Sequence, residues 1–126
     1  MRMPLETRYS DYDIRGHVNN ATFLTYFEMA RRHVWGRLAG VTQDFNFIIA
    51  EAHIRYVSQA KLGDPLAVDI ATTEIRNKAW VWTYRIVDTR DERLVAEGST
   101  VQVMFDYGSQ KSMAIPDALR PMLQGA

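Results

Sequence analysis

Cysteine is absent from the sequence, which excludes disulfides, a cysteine nucleophile and thiolate metal sites, and is compatible with a reducing compartment. Net charge is absent as well: fifteen Lys and Arg offset fifteen Asp and Glu, so no global field draws the protein to nucleic acid or anionic lipid. Long hydrophobic runs are missing too. The longest strictly apolar stretches, such as Phe47 to Ala50 and Ala79 to Trp82, are four residues, far short of a bilayer span or a signal-peptide core. There are no internal repeats, low-complexity tracts or Pro/Gly/Ser linkers, so the sequence reads as one domain over residues 1–126, continuous from Met1 to about Leu123. These absences lead us to expect a cytoplasmic protein that neither binds nucleic acid nor enters a membrane.

What is present suffices for a core. The 126 residues are 47% hydrophobic, and a domain of this size buries roughly two thirds of the surface its unfolded form exposes. Between Asn19 and Gly40, Phe23, Phe27, Ala30, Val34 and Leu38 recur at helical spacing, flanked by Leu24 and Trp35. Asn19 or Asn20 is placed to cap this helix and Gly40 to end it. Arg31, Arg32 and Arg37 suit the dipole of its C-terminal half, and Glu28 precedes Arg32 by four residues, the favourable order for an ion pair.

Beyond the helix the period changes to two. Ile48, Ala50, Ala52, Ile54 and Tyr56 form one apolar face; Leu66, Val68 and Ile70 a second; Trp80, Trp82, Tyr84 and Ile86 a third. Val95, Val101, Val103 and Phe105 belong to a last, long strand. Turn signals at Leu62–Pro65, Arg76–Lys78 and Thr89–Arg93 separate them, and an initial strand is expected from Met3 to Tyr9. The order strand, long helix, four strands in a meander predicts an α+β domain, one helix laid on an antiparallel sheet of about five strands. One helix cannot cover so wide a sheet, which predicts a homo-oligomer. Trp80 and Trp82 either lie on the bare face or pack as core against the helix, and spacing alone does not choose.

The densest polar stretch runs from Arg8 to Asn20 and leads directly into the aromatic-rich helix. A helix N-terminus offers unpaired N–H groups that can polarise a carbonyl, and a carboxylate just upstream supplies a nucleophile or base. On residue chemistry alone, a simpler account is that Asp11 and Asp13 cap turns and the Asn pair caps the helix. An EF-hand loop starting at Asp11 fails, because position five is Arg15 and position twelve is Thr22. His17, His33 and His53 show no metal-ligand spacing, and no nucleophile elbow, dinucleotide fingerprint or P-loop occurs.

The segment Tyr9-Ser10-Asp11-Tyr12-Asp13-Ile14-Arg15-Gly16-His17-Val18-Asn19-Asn20-Ala21-Thr22-Phe23, followed by Tyr26-Phe27-Glu28-Met29-Ala30-Arg31, contains D-x-D-x-x-G-H-V-N-N, an aromatic, then E-x-A-R. It resembles the signature of hotdog-fold acyl-CoA thioesterases of the 4-hydroxybenzoyl-CoA thioesterase type. The likeness is strong over the first forty residues and continues through the Gly63-Asp64 turn and Arg76-Asn77-Lys78. The resemblance implies a hotdog fold, one long helix wrapped by a curved antiparallel sheet, and hydrolysis of an acyl-CoA to a carboxylic acid and free coenzyme A. It implies Asp13 as the catalytic carboxylate and the Asn20 backbone N–H as the group that polarises the thioester carbonyl. His17 and Asn19 would shape the substrate pocket, Phe23 would line it, and Arg76, Asn77 and Lys78 would meet coenzyme A phosphates.

For Arg76 and Lys78 a solvated hairpin turn is an equal account, and Asn77 interrupts a more basic turn. Asp11 reads as structural, and His17 either touches substrate or braces the loop. The implied sites lie between the subunits of a homodimer or homotetramer. No metal or redox cofactor is implied, coenzyme A being part of the substrate. The alternatives are a thioesterase for acyl-carrier-protein substrates and a non-catalytic acyl-CoA-binding module on the same fold.

Overall fold

The computed structural model describes residues 1–38 and 46–126; Gly40, expected to end the helix, lies outside the described residues. Strand β1 (Arg2–Pro4) is followed by a single 3-10 turn (Tyr9–Asp11) and helix α1 (Asn20–Arg37). Strands β2 (Asn46–Tyr56), β3 (Leu66–Ile75), β4 (Ala79–Asp88) and β5 (Arg93–Asp106) come next, then β6 (Lys111–Ser112) and the short helix α2 (Arg120–Gln124). All strands join one antiparallel sheet in the order β1-β3-β4-β5-β2, with β6 also on β5. The meander therefore holds for β3, β4 and β5 only. β2 pairs with β5 at the edge opposite β1, so α1 links one edge of the sheet to the other.

The initial strand is shorter than Met3 to Tyr9. Pro4 has no N–H to continue the ladder, and after a last bond from Leu5 N–H to Leu66 O (2.9 Å) the backbone turns into the 3-10 segment. Asn19 is the helix cap, its Oδ1 accepting the Ala21 N–H at 3.0 Å, and Asn20 is the first helical residue. The 18 residues of α1 make it about 27 Å long. Phe23, Phe27, Ala30, Val34 and Leu38 are buried as expected, and Tyr26 joins them. Glu28 and Arg32 do not form the expected ion pair.

Trp80 and Trp82 are fully buried and face the helix. Trp35 stacks on Trp80 with centroids 5.7 Å apart and planes 3° from parallel, and Phe47 packs edge-on to both. The tryptophans are therefore core, and it is Val81, Val101, Val103 and Phe105 that occupy the sheet face away from α1, half-buried. The inward face of β5 is Thr100, Gln102 and Met104. Its polar pair is tolerated because each group is bonded. Tyr84 OH lies 2.5 Å from Thr100 Oγ1, Thr100 bonds Gln102, and Gln102 Nε2 donates to Trp80 O at 3.2 Å.

β2 departs from the single apolar face as well. A bulge between Ile49 and Glu51 puts Ile49 opposite Gln102 and Glu51 opposite Val101, so Ile48 lies on the opposite face from Ala52, Ile54 and Tyr56. Gly98 leaves room for both the neighbouring strand β2 and the helix. A Cβ there would sit 2.1 Å from His53 O and 2.9 Å from Phe27 Cε2.

Candidate active site at the N-terminus of the long helix

The loop before α1 is a tight reversal. Tyr12 bridges Val18, Asp13 N–H donates to His17 O at 2.7 Å, and Gly16 N–H donates to Asp13 O at 3.0 Å. The turn needs a left-handed residue, which Gly16 supplies at φ 75°. Segment 60–62 clamps the reversal from the far side, with Val18 N–H on Ala60 O and Leu62 N–H on Gly16 O, both at 2.9 Å. That segment is itself held by ions. Arg93 donates to Ser58 Oγ (2.6 Å) and Gln59 O (2.9 Å), while Arg90 bridges Asp64 and the buried Asp88. The Arg90 guanidinium, above all, holds the Asp88 carboxyl well below the usual carboxylate range.

The two acids of the loop are used in opposite ways. Asp11 is buried: its Oδ2 accepts the Arg8 N–H and the Tyr26 OH, each at 2.9 Å, and its Oδ1 accepts the Arg8 guanidinium. Burial pushes its carboxyl up, but these hydrogen bonds outweigh it and leave the pKa below the ordinary value. The structural role expected of Asp11 is what the geometry gives it. Asp13 is exposed, and its Oδ1 accepts the N–H groups of Arg15 (2.8 Å) and His17 (3.1 Å). Its Oδ2 has no hydrogen-bond partner among the described residues. The His17 N–H above all, with that of Arg15, keeps the carboxyl below its ordinary pKa, so Asp13 is ionised at neutral pH.

A cavity of about 270 Å³ opens beside the helix start, lined by His17, Asn20 and Phe23 together with Tyr56, Ser58 and Gln59. Tyr56 closes its outer side, donating its OH to Asn20 O at 3.0 Å and meeting the Phe23 ring edge-on at 5.6 Å. Asn19 carries Ala21 N–H on its side chain and Thr22 N–H on its carbonyl, whereas the Asn20 N–H takes no partner among the described residues. Asp13 lines a separate cleft of about 320 Å³ with Tyr9, Tyr12, Ile14 and Leu62. The two spaces share no lining residue and are linked through the Asp13–His17 hydrogen bond.

His17, Asn20 and Phe23 thus share one space, with Asp13 next door, while Asn19 serves as the cap. Arg76, Asn77 and Lys78 are not brought to them. They form the turn at the far end of β3, ten residues or roughly 30 Å of strand from the Leu66 end that follows the 60–64 segment. There Arg76 pairs with Glu74 at 2.9 Å, and Arg120 donates to Arg76 O and Asn77 O. Tyr26, Tyr56, Ser58 and Gln59 are residues that sequence reasoning misses. Tyr26 falls three residues after Phe23, the spacing of one more member of the inner stripe, but nothing in sequence marks its hydroxyl for Asp11. Among the described residues, no three His, Asp or Glu side chains gather as metal ligands, and no helix is long and apolar enough to cross a membrane.

A long helix held against an antiparallel sheet, with a polar loop feeding its N-terminus, is the architecture of the hotdog-fold thioesterases. The protein belongs to the thioesterase-like superfamily, whose family model matches residues 7–123, and this places it among thioester hydrolases. It is 27% identical to the acyl-CoA thioester hydrolase YbgC of Escherichia coli O6:H1, over 94% of this sequence and 91% of that protein. It is 25% identical to the long-chain acyl-CoA thioesterase FadM of Escherichia coli, over 98% of this sequence and 97% of that one. Among solved structures, a thioesterase from Thermus thermophilus complexed with coenzyme A and Zn superposes with a TM-score of 0.86 at 26% identity. That likeness covers 98% of this protein and 96% of that one.

Proposed function

We propose that the protein hydrolyses an acyl-CoA thioester to a carboxylic acid and free coenzyme A at the junction of Asp13 and the start of α1. The observation that carries the reading is the state of Asp13, which lines a cleft: one oxygen is anchored by two backbone N–H groups and the other takes no partner among the described residues. That cleft borders the space where the Asn20 N–H stands unpaired among the described residues. The relatives named for acyl-CoA hydrolysis and the coenzyme A held by the Thermus structure support the substrate class.

In this reading Oδ2 of Asp13 attacks the thioester carbon, or takes a proton from the water that does. The carbonyl oxygen gathers negative charge against the Asn20 N–H and the helix N-terminus. The carbon–sulfur bond then breaks and coenzyme A leaves as a thiolate, which needs no acid to protonate it. In the first case water hydrolyses the resulting anhydride; in the second the acid forms directly. The depressed pKa of Asp13 keeps it ionised at neutral pH, the state that either role requires. No metal or redox group is required, and we place the enzyme in the cytoplasm.

We read the working unit as a homo-oligomer, a dimer or a tetramer, with its sites between subunits. Tyr9, Ile14 and Leu62 stand exposed around Asp13, Ile14 completely so, and β2 is an edge strand whose Ile48 and Ile49 are exposed. We read Arg76 and Lys78 as meeting coenzyme A phosphates from a second copy, since within one copy they lie at the end of β3 remote from the 60–64 segment.

Thiol release from short, long-chain and aromatic acyl-CoAs, read with a chromogenic disulfide reagent, tests the proposal directly, since a protein without cysteine adds no background. Asp13→Asn keeps the oxygen that accepts both N–H groups, so the fold should survive while kcat falls by about 100- to 10,000-fold. Hydrolysis at the wild-type rate by this variant would end the assignment.

A further inference from the structure

We propose that the buried Asp11–Tyr26 hydrogen bond is a positioning device that fixes the distance between Asp13 and the N-terminus of α1. The inference rests on the reading of Asp13 and the Asn20 N–H given above. Tyr26 lines neither cavity and is almost completely buried, so it does not touch substrate. Its influence on the site has to pass through Asp11.

That path is short. Asp11 grips α1 at two levels: its backbone carbonyl accepts the N–H of the cap residue Asn19 at 2.9 Å, and its carboxylate accepts the Tyr26 hydroxyl at 2.9 Å. Tyr26 lies six residues into the helix, about 9 Å along its axis from Asn20. A single contact at the cap would let the loop pivot about it. A second contact, rooted at a helix residue two turns further on, resists the pivot. The oxygen that accepts Tyr26 also accepts the Arg8 N–H, and the other accepts the Arg8 guanidinium; these bonds close the 3-10 turn from which Tyr12 and Asp13 emerge. Asp13 is two residues from Asp11, and the Asn20 N–H is one residue from Asn19. The clamp therefore spans the two groups that must converge on one carbonyl.

Burial explains why the clamp is stiff. A carboxylate only 2% exposed cannot exchange a lost partner for bulk water, so each hydrogen bond it accepts restrains it more than a surface bond would. A second buried tyrosine provides an internal control. Tyr84 is as buried as Tyr26, and its hydroxyl bonds Thr100 on β5 and Arg31 on α1, with no tie to the catalytic loop.

The test compares Tyr26→Phe with Tyr84→Phe, measuring kcat, KM and Tm, with Asp13→Asn as the reference for a disabled site. Both tyrosine variants should lower Tm by similar amounts. Only Tyr26→Phe should lower kcat, by about 10- to 100-fold with KM changed less than about threefold, because a misplacement of about 1 Å can cost that much. Should Tyr26→Phe fold poorly, Asp11→Asn keeps one oxygen for the same donors and should show a smaller loss of the same kind. Wild-type kcat in Tyr26→Phe, or an equal loss in Tyr84→Phe, would overturn the inference. Full activity in Asp13→Asn would instead remove the reading beneath it.

Discussion

The two ends of α1 are held by different forces. At the C-terminal half, Trp35, Phe47, Trp80 and Trp82 form an aromatic cluster whose two β4 members are completely buried, and cohesion there comes from removing apolar surface from water. At the N-terminus, Asp13, Asn19 and Asn20 are exposed and order comes from hydrogen bonds: the Asx turn of Asp13, the Asn19 cap and the Asp11 clamp. The difference has a chemical reason. On the proposed function these groups meet an incoming ester and cannot be fixed by burying them, so the loop is fixed by directional bonds while the far end of the same helix supplies the stability.

Damage to the aromatic end should therefore cost stability and leave chemistry intact. Trp80→Ala removes a fully buried ring stacked on Trp35 and should destabilise the fold by about 3–5 kcal/mol. Denaturant unfolding measures this, and the fraction that remains folded should turn over at the wild-type kcat. A kcat that collapses while the fold persists would erase the division between the ends.

A subtler effect sharpens the polar end. The Asp11 carboxyl is depressed in the folded state, so in acid the unfolded state binds the proton first. The stability Asp11 contributes is complete above the unfolded-state pKa, about 3.9, and disappears as pH falls through its lower folded value. From about pH 5 downward, wild-type stability should decline more steeply than that of Asp11→Asn. Parallel curves would mean that Asp11 is no better solvated by Arg8 and Tyr26 than by water.

Much of this is legible in the sequence alone. The helical stripe from Phe23 to Leu38 is an arithmetic consequence of about 3.6 residues per turn, and the cap follows from a side chain able to accept an N–H just before the stripe. Strand phases are less accessible, because one bulge after Ile49 reverses the faces of β2 without leaving a mark in composition. β5 misleads for another reason. Thr100 and Gln102 look like surface residues, and only their partners Tyr84 and Trp80, far away in sequence, allow them inward.

The site divides in the same way. The D-x-D and G-H-V-N-N residues are local, so their mutual proximity follows from spacing. Remoteness of Arg76 to Lys78 depends on the length and placement of β3, and the Tyr26–Asp11 bond on which helical face meets the loop, both tertiary facts. The wall formed by Tyr56, Ser58 and Gln59 is polar backbone and side chain between a strand and a turn, which in sequence is indistinguishable from an ordinary connection.

The central claim is that a carboxylate and one backbone N–H share the work on the ester, and position 20 offers a way to remove the N–H alone. Proline is well tolerated as the first residue of a helix, and Asn19 already has the extended conformation (φ −64°, ψ 139°) that a following proline requires. Asn20→Ala keeps the backbone donor; Asn20→Pro deletes it. The account predicts kcat within a few-fold of wild type for Asn20→Ala and a loss of about 100- to 1,000-fold for Asn20→Pro, with helix content unchanged by circular dichroism. Equal kcat in the two variants would contradict it.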